Sequence, residues 1–136
     1  EANKYMLKDG DILFNRTNSK ELVGKTAVYR NKEKMIYAGY LIRLRTNGKA
    51  IPDYVAGYLN SSYGKAFLMN MCKNIIGMAN INAQEVQDIP IQIPPVDLQT
   101  DYSLITKNIN QSKQIMKQSV VELDNQFNAL MQNYFE

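Results

Sequence analysis

The residues best equipped for chemistry lie in one short polar run, Asn15-Arg16-Thr17-Asn18-Ser19-Lys20-Glu21, which holds no apolar side chain and is followed by Leu22-Val23-Gly24-Lys25. With Lys20 and Lys25 beside them, these side chains offer the donors that hold phosphates, and Asn and Arg can also read base edges. The same composition suits an ordinary polar turn, where Asn and Ser bond to their own backbone. Asn80 and Asn82, just after Gly77-Met78, allow the same two readings. Arg43 and Arg45 add cationic donors elsewhere in the first fifty residues.

The inventory for catalysis is poor. The chain has no His, which removes the commonest general base and metal ligand. A single cysteine, Cys72, without a histidine forms no nucleophilic pair. Zinc-ligand spacing, a phosphate loop and a dinucleotide-binding glycine pattern are all absent, and no acidic residue is followed by Lys two positions on, as a nuclease carboxylate site would need. Pro94-Pro95 lacks the preceding Asn or Asp and the following aromatic of an amino-methyltransferase loop. A non-catalytic protein with no cofactor and no metal is the expectation.

At 136 residues and 45% apolar content the chain has enough material for one globular core and an appendage. No run of eighteen apolar residues and no basic-then-apolar leader occurs. Cys72, set in Phe67-Leu68-Met69-Asn70-Met71-Cys72, reads as a buried thiol in a reducing compartment, so an intracellular location is expected and the Asn-x-Ser/Thr triplets at Asn15 and Asn60 are treated as chance. Net charge is only +3, yet residues 1–50 carry eleven Lys or Arg against five Asp or Glu. A basic half of that kind attracts polyanions, although many basic faces are simply solvated.

The elements that must position the polar run follow from periodicity. Tyr5-Met6-Leu7 reads as the end of an apolar element, so the chain looks like a fragment of something longer. Lys8-Asp9-Gly10-Asp11 makes a turn, Ile12-Leu13-Phe14 a short buried strand, Asn15–Glu21 a loop, and 25–30 a second strand with Thr26 and Val28 on one face. Residues 36–45 alternate as the longest strand, with Ile36, Ala38, Tyr40, Ile42 and Leu44 on a dry face and Arg43 and Arg45 on a basic, aromatic-bearing one. Pro52 opens a helix that runs to about Cys72, in which Gly57 and Gly64 suggest close packing against the sheet. Residues 74–84 form a Gly-hinged segment; 89–93 alternate as an edge strand containing Pro90, and Pro94-Pro95 end it.

From Asp97 to Glu136 the pattern changes. Leu98, Tyr102, Ile105, Ile109, Ser112, Met116, Ser119, Leu123, Phe127, Leu130 and Tyr134 recur at steps of three and four, a heptad seam with one doubled four-step at Leu123 to Phe127. At 1.5 Å per residue this helix reaches about 57 Å. A terminal helix packed on its own domain is the simpler reading, but a body of some ninety-six residues has a radius of gyration near 13 Å and cannot cover such a rod. The expected fold class is α+β: a small mixed or antiparallel sheet with a packed helix over 1–96, then a coiled-coil helix over 97–136.

Taken in order, these pieces resemble the specificity subunit of type I restriction–modification systems. The residues that carry the likeness are Leu7-Lys8-Asp9-Gly10-Asp11-Ile12-Leu13, Arg16-Thr17-Asn18-Ser19 with Val23-Gly24-Lys25, Pro52-Asp53-Tyr54 with Tyr58-Leu59-Asn60-Ser61, Gly77-Met78-Ala79-Asn80-Ile81-Asn82, Ile89-Pro90-Ile91, Ile93-Pro94-Pro95 and Leu98-Gln99. The resemblance implies a subunit with two target recognition domains, each binding one half of a bipartite double-stranded DNA site, joined by two long antiparallel helices that set the spacing. DNA-methyltransferase subunits dock on that scaffold and restriction subunits join them, so methylation and ATP-driven cleavage belong to partners in a bacterial or archaeal cytoplasm. Carried onto this chain, 15–25 and 77–82 would face DNA and 97–136 would be the spacer helix. A complete subunit is about three times as long and has more strands before Tyr5, so the chain resembles the back of one recognition domain plus one spacer helix, in the carboxy-terminal half. Self-association through the seam is then expected, because the second helix is missing. Two other classes stay open: a coiled-coil interaction module with a merely solvated basic sheet, and the recognition region of a single-chain restriction–methylation enzyme.

Overall fold

A computed structural model describes residues 2–72 and 76–135, and the chain divides into two compact units, Glu1–Thr100 and Asp101–Glu136. The first unit is built on β1 (Ile12–Asn15), the middle strand of an antiparallel sheet. It pairs on one side with β3 (Thr26–Val28), in register Ile12 to Val28, and on the other with β4 (Leu41–Leu44), in register Ile12 to Leu44. Alternation along β1 puts Ile12 and Phe14 into the core, where Val23, Val55, Ala56, Leu59, Leu68 and Cys72 join them. Thr26 and Val28 share a face as expected, and it is the inward one, while Ala27 is exposed. A second, two-stranded sheet pairs β2 (Thr17–Ser19) with β5 (Met78–Asn80).

Helix α1 (Pro52–Asn60) starts at the expected proline, but the expected continuous helix to Cys72 is two helices. Ser61 takes an extended conformation (ψ 162°), and its hydroxyl donates to the Tyr58 carbonyl while accepting from the Gly64 N–H at the start of α2 (Ser62–Met71). A serine at this junction supplies both a C-terminal and an N-terminal cap. Gly64 is required by closeness to α1, not to the sheet: a Cβ there would press on the Tyr58 carbonyl oxygen and sit 2.9 Å from that of Leu59. At Gly24, φ is +82° and a Cβ would strike Leu68, so a left-handed residue without a side chain lets the chain turn beneath α2. The Asn60 side chain accepts from Thr26 N–H (3.0 Å) and donates to Thr26 C=O (2.6 Å), pairing with the β3 edge as a strand would.

Three other expectations are corrected. The long strand over 36–45 shrinks to β4, because the chain turns at Gly39-Tyr40; Ile36 makes only an isolated bridge to Met6, and Ile36 and Tyr40 are exposed. No strand forms over 89–93. Pro90 offers no N–H there, and the segment is held through its carbonyls, Pro90 C=O by the Tyr58 hydroxyl (3.2 Å) and Gln92 C=O by the Tyr54 hydroxyl (2.8 Å). Within 74–84 the described residues form β5 and then a short helix α3 (Ala83–Gln87), capped by Asn82 and Glu85; Asn74 and Ile75 lie outside the described residues.

The long helix is present as α4 (Val96–Phe135), 40 residues, or about 60 Å. Its first turn belongs to the first unit and carries Gln99, fully buried, whose Oε1 accepts from Ile51 N–H (2.8 Å) and whose Nε2 donates to Pro94 C=O (2.8 Å) and Lys49 C=O (3.3 Å). In the second unit every seam residue is exposed, from Tyr102 to Tyr134, with Phe127 at 61%.

Candidate nucleic-acid interface

The composition of the polar run after β1 predicts a loop. Part of it is strand β2, and its partner is the other segment singled out, 77–82. Thr17 stands opposite Asn80, Asn18 opposite Ala79 and Ser19 opposite Met78. Ala79 is fully buried and Ile81 nearly so, which anchors β5 to the core; alternation then exposes Met78 and Asn80, and Thr17 and Ser19 share their face. Two segments that lie 63 positions apart thus make one antiparallel ribbon whose outer face carries Thr17, Ser19 and Asn80 beside exposed Met78.

Arg16 ties the ribbon to the main sheet. Its N–H donates to Tyr40 C=O (3.0 Å), and its carbonyl accepts from Ile81 N–H (2.9 Å). With its backbone fixed on both sides, its side chain reaches Asn80, Nε to Oδ1 at 3.2 Å, and the Thr17 hydroxyl donates to the same oxygen at 3.3 Å. Lys25 is exposed and Lys20 half-buried; neither forms an ion pair among the described residues. Asn15 and Asn18 use their side-chain oxygens locally, accepting from Thr17 N–H and Ser19 N–H. Asn82 caps α3: its Oδ1 accepts from Glu85 N–H, and its own N–H donates to the Glu85 carboxylate. The Asn82-x-x-Glu85 spacing is a capping box and was readable as one.

Arg43 and Arg45 direct their donors into the fold. Arg43 lies over the Tyr37 ring, 5.3 Å from its centroid, and donates to the Lys4 and Met6 carbonyls. Arg45 grips Asp11 with two nitrogens, at 2.6 and 3.0 Å. Burial alone would raise the Asp11 carboxyl, but the Arg45 bond, the Lys8 N–H and the charges of Arg45 and Arg43 outweigh it and hold the group below the usual carboxylate range. Burial pushes the Cys72 thiol up, with the Glu85 charge adding to it, as suits an inert core residue. Among the described residues no cluster of three His, Cys, Asp or Glu side chains could hold a metal, and no helix is long and apolar enough to cross a membrane.

No protein-family model matches the sequence. Over 104 residues, 74% of its length, the chain is 31% identical to the type I restriction enzyme EcoKI specificity subunit of Escherichia coli K12. It is 28% identical over 134 residues, 97% of its length, to a protein of Methanocaldococcus jannaschii assigned as the MjaX specificity subunit, and 30% identical over 104 residues to the StySPI specificity subunit of Salmonella potsdam. The chain spans 22%, 32% and 22% of the lengths of these three relatives. The likeness first carried by short motifs therefore extends along nearly the whole sequence, and the chain is a segment related to the specificity subunits of type I restriction enzymes.

Proposed function

We propose that this chain recognises one half of a bipartite double-stranded DNA target, as part of a type I restriction specificity subunit, and that α4 serves as a spacer helix on which DNA-methyltransferase subunits assemble. The observation that carries the reading is the ribbon. Two polar segments, each ambiguous alone, are held side by side by buried Ala79 and Ile81, with Arg16, Thr17, Ser19 and Asn80 grouped around one face. A two-stranded ribbon is one of the two shapes that enter the major groove, and Arg16, Lys20 and Lys25 supply the cations for flanking phosphates. Arg43, Arg45 and Asn82 fall to the fold on this reading, since their bonds hold the first unit together. The catalytic steps would belong to partner subunits, and the setting would be the cytoplasm of a bacterium or archaeon.

The test is a salt titration. Fluorescence anisotropy of the chain on duplex DNA should give a log affinity that falls linearly with log salt, with each phosphate contact contributing about 0.9 to the slope. Arg16→Ala and Lys25→Ala should each weaken binding to all sequences and reduce the slope by roughly one. An unchanged slope in both variants removes those residues from the phosphates, and no salt-dependent binding at all removes the reading.

A further inference from the structure

We propose that Asn80 is a base-reading residue that can only donate: its side-chain amide contacts a hydrogen-bond acceptor in the major groove, a purine N7, guanine O6 or thymine O4, and does not form the two-point pairing that singles out adenine. The inference rests on the DNA-binding reading above and deepens it. An amide oxygen has two lone pairs, and the Oδ1 of Asn80 receives two donors, Arg16 Nε–H at 3.2 Å and the Thr17 hydroxyl at 3.3 Å. Nor can the amide be turned round, because a guanidinium has no acceptor and a flip would set donor against donor. The NH₂ group is therefore aimed away from Arg16 and Thr17, on the exposed ribbon face beside Met78 and Ser19. The positive charge of Arg16 polarises the amide and strengthens its outward N–H donors.

Asparagine reads adenine by donating to N7 while its oxygen accepts from N6. Here that oxygen is already occupied, so only the donating half of the pattern remains. Aspartate at this position keeps an oxygen for Arg16 and Thr17 but replaces the NH₂ with a second acceptor, which inverts what the ribbon face can read.

The experiment selects a randomised duplex library with the chain and with Asn80→Asp and Thr17→Val, and sequences the recovered DNA. The wild type should enrich a motif in which one position excludes cytosine, the base without a major-groove acceptor, and shows no dominant adenine, which two-point reading would select. Asn80→Asp should switch that position alone toward cytosine, whose N4 donates, by about tenfold or more. Thr17→Val, which removes one of the two bonds fixing the amide, should relax the preference at the same position and leave the others unchanged. If Asn80→Asp does not fold, Thr17→Val decides between the outcomes. A motif unaltered in the variants, with or without uniformly weaker binding, overturns the Asn80 assignment and leaves DNA recognition standing. A wild type that enriches no sequence overturns both.

Discussion

Replacing Gln99 tests the point where the first turn of α4 is fixed to the first unit. The side chain is fully buried and makes three hydrogen bonds, to Ile51 N–H, Pro94 C=O and Lys49 C=O. In Gln99→Ala the Ile51 N–H loses its acceptor, which costs about 1–3 kcal/mol. Loss of two buried methylene equivalents adds about 1.5 kcal/mol. The sum is near 3 kcal/mol, and at about 4–8 °C per kcal/mol for a domain of this size it should lower the thermal midpoint by roughly 12–24 °C. Gln99→Met keeps the volume and should lose only the hydrogen-bond share. Gln118→Ala, on an exposed stretch of α4, should change stability by less than about 0.5 kcal/mol. Circular dichroism during thermal and urea unfolding measures all three. A Gln99→Ala loss below about 1 kcal/mol would show that water replaces these bonds and that the buried amide does not secure the turn.

Other substitutions probe separate joints. Gly64→Ala should destabilise by about 1–3 kcal/mol, because the new Cβ meets the backbone carbonyls of Tyr58 and Leu59 and cannot push them aside as it could a flexible side chain; urea midpoints will tell. Asp11 has a depressed carboxyl in the folded state, so its contribution is present above the unfolded value of 3.8 and is lost as pH falls through the lower folded value. Acid unfolding of the wild type should steepen below about pH 4 through this group, and Asp11→Asn should flatten that part of the stability–pH curve; equal slopes would acquit the Arg45 pair. The exposed seam of α4 should make the chain self-associate at micromolar concentration, and Phe127→Glu should return it to a monomer; sedimentation of the wild type as a monomer would count against a pairing role for the seam.

What could be read from the sequence was whatever repeats locally. The strand at Ile12-Leu13-Phe14, the shared face of Thr26 and Val28, Pro52 at a helix start and the long helix α4 all appear where expected, because an apolar run or a period of two or 3.6 is visible in one short window. The ribbon was not visible as a ribbon. Its strands contain three residues each, β2 has no apolar alternation, and the pairing partner lies more than sixty positions away. Residues 36–45 show the opposite error: the alternation from Ile36 to Leu44 is genuine, but the Gly39-Tyr40 turn outweighs it. The division of the helical stretch at Ser61 and the start of α3 at Asn82 did leave signals, a serine cap and a capping box, which hydrophobic periodicity alone passes over.

The charge count also changes meaning once the partners are known. Eleven cations in the first fifty residues suggest a broad basic surface. Arg30 is bound to Asp9 and Asp53, Arg45 to Asp11, and Arg43 to backbone carbonyls and a tyrosine ring, so the arginines serve mainly to close the first unit. Arg16 differs from those three, because its Nε neighbour is a neutral amide on an exposed ribbon face, not a carboxylate or a carbonyl. If Arg16, Lys20 and Lys25 are the phosphate contacts, about 0.9 per contact gives a salt slope for the wild type near −2.7, shallow for a DNA-binding protein. On the proposed reading, a chain with so few contacts would bind one half-site weakly by itself. Such a surface gains affinity when a second recognition surface is held at a fixed distance, since the second contact then forms at high effective concentration, and a long helix with an exposed seam is the kind of element that can hold it there.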